Sequence, residues 1–136
     1  MEKREHALAV RGFSDPAHAR VHRLAVDTYR FQHPDGYCIS AKSLAAHLTG
    51  LCWALEYGAH PTGYRALNRW LDGTPPVQKR ESPTFRGALT IADVYGITDA
   101  DAHARAVEHW ARSTWEAYAA LHPLAHRWME EALSKK

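Results

Sequence analysis

Apolar residues recur along most of this chain every three or four positions, the spacing that lines one face of an α-helix. The clearest stripe is Leu44, Leu48, Leu51 and Leu55. It predicts a helix over 41–57, capped at its start by Ser40 and closed by Gly58 in a left-handed conformation. Upstream, Ser14-Asp15-Pro16 pairs a capping residue with a proline at the first helical position, which predicts a helix over 15–32. His33-Pro34-Asp35-Gly36 stops it, because Pro34 disfavours helical geometry at His33 and Asp-Gly suits a tight turn. After His60-Pro61, Tyr64, Leu67 and Leu71 share a face of a shorter helix ended by Gly73. Periodicity then lapses, leaving an irregular segment near 74–87 that is a candidate lid or contact surface.

Two capping-box relatives follow, Thr90-Ile91-Ala92-Asp93 and Thr98-Asp99-Ala100-Asp101. The first predicts a single turn to Tyr95 closed by Gly96, with a strand as the alternative. The second opens a long helix carrying His103, Val107, Trp110, Thr114, Tyr118 and Leu121 on one side. Pro123 interrupts the pattern before Leu124, Trp128, Met129 and Leu133, so a kink or a break into two helices is expected there.

Composition agrees with the pattern. Ala and Leu together number 35 against 9 for Val and Ile, which favours helix over strand. The expectation is an all-α protein, a single-domain bundle of four to six helices spanning residues 1–136. With 46% hydrophobic and 24% charged residues the chain is not of the disordered type. Its longest apolar run, Leu51 to Leu55, falls far short of the roughly 18 residues a membrane span requires. The charged start has no apolar stretch behind it, so no secretory leader and a soluble cytoplasmic location are expected. The formal charge of +2 is spread along the chain without a basic face, which argues against nucleic acid as a partner. Cys38 and Cys52 form no C-x-x-C pair and are expected as buried thiols. The absence of G-x-x-x-x-G-K-[ST] and G-x-S-x-G motifs removes support for P-loop and α/β-hydrolase chemistry.

The histidines carry the candidate chemistry. There are ten, and two pairs, His18/His22 and His122/His126, have the spacing that puts two imidazoles on one helix face. Two such pairs are a mild excess over chance, so position matters more. His47 falls within the leucine stripe, which aims a polar ring at the core and demands a hydrogen-bond partner or a metal. Folding the two helices about the turn at 36–37 sets position 26 opposite His47, one helical turn, or about 5 Å, from His22. His22, His47 and a late histidine, His122 or His126, form the candidate ligand set for one divalent ion of zinc, nickel or iron. The alternative is that these histidines are structural. Asp27 has Arg23 and Arg30 as natural ion-pair partners, and Tyr29 shares the face of His22 and His33.

Three segments, Val26-Asp27-Thr28-Tyr29-Arg30-Phe31-Gln32-His33-Pro34, Lys42-Ser43-Leu44-Ala45-Ala46-His47-Leu48 and Arg86-Gly87-Ala88-Leu89-Thr90-Ile91-Ala92-Asp93, together resemble an uncharacterised bacterial family of unknown function. That family is built on VDxYxxQHP, KSxxxHL and RGxLTIAD segments with a tryptophan-rich C-terminal helix, here Trp110 to Trp128. The resemblance implies roles around a site for His22, Asp27, Tyr29, Gln32, His33, Pro34, His47 and His122, and assigns none to His18 or His126. Members often begin with a cysteine pair; this chain has none, so no N-terminal zinc knuckle is expected. A looser likeness to DinB-type metal-binding bundles rests on an early histidine with a late H-x-x-x-H, His122/His126. The function classes left open are a metal-dependent enzyme, a metal or small-molecule binding module, and a protein-interaction module. Trp53, Trp70 and Trp115 lie off the main stripes, which makes a homodimer a further expectation.

Overall fold

A computed structural model describes residues 16–58 and 60–134, with side chains from Val21 onward. The Ser14-Asp15 cap and the side chain of His18 lie outside the described residues. Among the described residues six α-helices follow in order: α1 Pro16–Gln32, α2 Pro34–Tyr37, α3 Ala41–Glu56, α4 Pro61–Asp72, α5 Ala100–Ala117 and α6 His122–Ser134, with single 3₁₀ turns at Ile91–Asp93 and Ala119–Leu121. The described residues contain no strand, so the turn at Ile91–Asp93 decides against the strand alternative. The architecture is an all-α bundle.

Local chemistry explains most boundaries. Ser40 accepts from the Ser43 amide while Ser43 reaches back to the Ser40 amide, a reciprocal cap for α3. Gly58 follows α3 with a φ of +86°, where a side chain would be strained. Thr90 and Asp93 form the expected capping box. At the start of α5 the cap is one residue later than the sequence spacing suggests: Asp99, not Thr98, accepts from the amide of Ala102. His33-Pro34-Asp35-Gly36 is tighter than a loop and winds into the single turn α2. Pro123 breaks rather than kinks the long pattern, and sits in the first turn of α6 where its missing N–H costs nothing.

α3 is the central helix, in contact with α1, α4, α5 and α6. Leu44, Leu48 and Leu51 are fully covered, whereas Leu24 and Leu55 are half-buried at the edge of the same cluster. Around them gather Phe31, Leu67, Trp128 and Met129. A second cluster, on the other side of α1, joins Ala25 and Tyr29 to Ile91, Val94, Val107 and Trp110. Trp53, Trp70 and Trp115 are 8%, 3% and 4% exposed, so this chain covers them itself and they no longer argue for a second copy. No described helix is long and apolar enough to cross a membrane.

Candidate functional site

Where α1 passes α3, a carboxylate and an imidazole meet inside the bundle. Asp27 is 3% exposed and His47 9%, and His47 Nδ1 lies 2.9 Å from Asp27 Oδ1. Folding about the turn at 36–37 anticipated this register to within one residue. The second carboxylate oxygen accepts from Arg23 Nε at 3.2 Å, and the Arg23 guanidinium lies over the Tyr64 ring, 4.4 Å from its centre. The guanidinium of Arg30, the other expected partner of Asp27, lies over the Tyr37 ring at 5.2 Å. Space for the carboxylate comes from Gly50: a Cβ there would collide with Asp27.

An ionised carboxylate only accepts hydrogen bonds, so a neutral His47 ring facing an ionised Asp27 would carry its proton on Nδ1 and keep its lone pair on Nε2. A carboxylate on the far nitrogen fixes the ring orientation and raises its basicity. About 11% of the His47 side-chain surface stays exposed, a narrow window on an otherwise buried group.

The other sequence-nominated residues divide into separate places. His22 is half-buried on α1, toward its start from Asp27. Tyr29 is buried, its ring 4.5 Å from that of His33 and 5.8 Å from that of Tyr37. The His33 carbonyl accepts from the amides of Gly36 and Tyr37 and so starts α2. His122 stacks on Trp115 at 3.8 Å and donates from Nε2 to the Trp115 carbonyl at 2.7 Å, tying off the end of α5. His126 lies 3.9 Å from the Glu56 carboxylate, which also accepts from Trp115 Nε1.

Glu56 is nine residues beyond His47 on α3, about 14 Å by helical rise. The late histidines therefore gather at the opposite end of α3 from His47, and the structure does not bring His122 or His126 to the Asp27–His47 pair. Among the described residues no three His, Cys, Asp or Glu side chains are grouped so as to hold a metal ion.

Gln32 takes a role that spacing alone did not reveal. Its amide donates to the carbonyls of Arg86 and Leu89 at 2.9 and 2.7 Å, and its own carbonyl accepts from Trp110 Nε1 at 2.8 Å. It joins the end of α1 to the irregular segment and to α5. Tyr118, stacked on Phe31 at 3.7 Å, donates to the Phe31 carbonyl at 2.6 Å. Burial lifts its hydroxyl above the usual range, against hydrogen bonds from Ser82 and Arg86. Both cysteines are buried free thiols as expected. Burial, aided by the Asp27 charge, pushes Cys38 up to about 11; burial with Glu56 pushes Cys52 up to about 12. Neither is a thiolate near neutrality.

No curated protein and no solved structure matches the chain. The sequence profile of a family of unknown function, DUF5946, matches residues 2–119. All three motif segments lie inside that span, and the contacts of Asp27, Gln32 and His47 account for two of them structurally. On this match, covering most of its length, the chain belongs to the family of unknown function DUF5946.

Proposed function

We propose that this protein is a helical binding module whose working group is His47, with Asp27 as the carboxylate behind it. The occupant in this reading is a single divalent ion, zinc, nickel or iron, taken by His47 Nε2, with His22 as the further imidazole on the same stretch of α1. The hydrogen bond of 2.9 Å between Asp27 and His47 Nδ1 is the observation that supports it. It leaves Nε2 as the ligand atom, as carboxylate-backed imidazole ligands require. His122, with Nε2 committed to a carbonyl, is left out of the site.

A second reading is favoured by the burial of the pair and by the lack of a three-donor group among the described residues: the Asp27–His47 bond then serves only to lock α1 on α3. Thermal unfolding of tag-free protein with zinc, nickel or iron(II) decides between the two. The metal reading expects a rise in melting temperature, lost in His47→Ala and retained in His109→Ala on exposed α5 surface. Asp27→Asn, which keeps the shape but not the charge, should weaken metal affinity by about 10–100-fold. If none of these metals shifts the parent protein, the bond is structural and the second reading stands.

A further inference from the structure

The irregular segment near 74–87 does not wander freely. At its end, Gln32 holds the carbonyls of Arg86 and Leu89, and the Ala88 amide donates to Ser113 Oγ at 3.1 Å. Gly87 has a φ of +101°, and a Cβ there would press on Ser113 Oγ at 2.8 Å. The backbone that carries Arg86 is thus fixed against α1 and α5.

Between this segment and α2 lies a cleft of about 310 Å³. Its wall includes Pro34 and Cys38 on one side and Lys79, Arg80, Ser82 and Arg86 on the other. Arg86 Nε is buried and donates to no group among the described residues, although the guanidinium also reaches the Tyr118 hydroxyl. Leaving a buried charged donor unmet is costly, and Arg86 also lines the cleft, where acceptor oxygens of a ligand would offset its charge. None of Lys79, Arg80 and Arg86 enters an ion pair among the described residues. Among the described residues Arg80 donates to the Gln78 side chain and the Lys79 carbonyl alone. Asp35 and Glu81 also line the cleft, and three cations against two carboxylates leave it one positive charge. The Cys38 thiol adds no negative charge at neutral pH.

We propose that this cleft binds a small oxyanion, the phosphate or carboxylate group of a small molecule, with the fixed Arg86 guanidinium as its anchor and Lys79 and Arg80 at the rim. A guanidinium presents a planar fork that matches two oxygens of either group. The volume suits a small metabolite and lies at the low end of ligand-site sizes. Gln32 is the positioning residue: it touches the backbone of Arg86 and not the anion. The proposal does not depend on metal at His47.

Calorimetry of the parent protein with inorganic phosphate and, separately, malonate, each against sodium chloride at equal ionic strength, tests it. Saturable binding in the millimolar range or tighter is expected for phosphate, malonate or both, and the preferred anion names the group. Arg86→Gln should lose at least tenfold in affinity, about 1.4 kcal/mol, while Arg69→Gln on α4 should bind as the parent does. Should Arg86→Gln fail to fold by circular dichroism, the Lys79→Gln/Arg80→Gln pair, both exposed, replaces it: a loss of threefold or more is expected. No saturable binding of either anion overturns the proposal. So does an equal loss in Arg69→Gln, or unchanged affinity in the folded cleft variant.

Discussion

At the scale of single residues, one glycine governs the buried polar contact between α1 and α3. Gly50 is on α3 directly against the Asp27 carboxylate, and an added Cβ would have to push that carboxylate away from His47. The substitution Gly50→Ala would gain helix propensity, worth about 1 kcal/mol on an exposed site. Here the collision opposes it with an overpacking cost of about 1–3 kcal/mol, and a buried carboxylate loses its partner as well. The net expectation is a lower urea midpoint for Gly50→Ala; an unchanged or raised midpoint would show that Asp27 has room to move. Nothing in the spacing of the leucine stripe marks Gly50, because the constraint comes from a side chain 23 positions away in sequence.

At the scale of elements, Gln32 does for the irregular segment what a cap does for a helix. It satisfies two carbonyls that regular structure leaves open and is itself held by Trp110. Gln32→Ala removes all three hydrogen bonds. Orphaned partially buried groups cost about 1–3 kcal/mol each, reduced wherever water enters. Hydrogen exchange should speed up first at the amides of residues 86–90, with the amides of α3 much less affected. Equal acceleration in α3 would mean that the segment and the bundle open together and that Gln32 holds the whole fold. The sequence shows Gln32-His33-Pro34 as a helix stop inside a motif segment but not what Gln32 bonds to, since its partners lie 54 to 78 residues further along.

At the scale of the whole molecule, stability should fall in alkali. Cys38 and Cys52 are raised from 9.0 to about 11 and about 12 in the folded chain. Above pH 9 the unfolded chain gives up these protons while the folded chain keeps them, so unfolding releases protons and is favoured as pH rises. The contribution is complete below pH 9 and is lost progressively toward the raised values of about 11 and about 12. Thermal melts from pH 7 to pH 10.5 check this: Cys38→Ser and Cys52→Ala proteins combined should show a shallower alkaline decline than the parent. A decline of the same slope would place its cause elsewhere, in groups such as Tyr118, also raised by burial.

Helix content, the caps at Ser40 and Thr90, the left-handed Gly58 and the break before Pro123 were all readable from the chain, because each depends on neighbours within four residues. Even the facing of His47 and Asp27 was within one residue of the sequence estimate, since a short turn between two helices leaves few registers. The fate of the other histidines was not readable. His122 spends its Nε2 on the carbonyl at the end of α5 and His126 turns to Glu56, choices set by the α5–α6 corner and its packing on α3. Nor was the arginine-lined cleft, which exists only where α2, the 79–86 segment and Tyr118 meet. Local spacing fixes which residues share a helix face; burial, partner and charge environment are properties of the assembled faces, and only tertiary packing decides them.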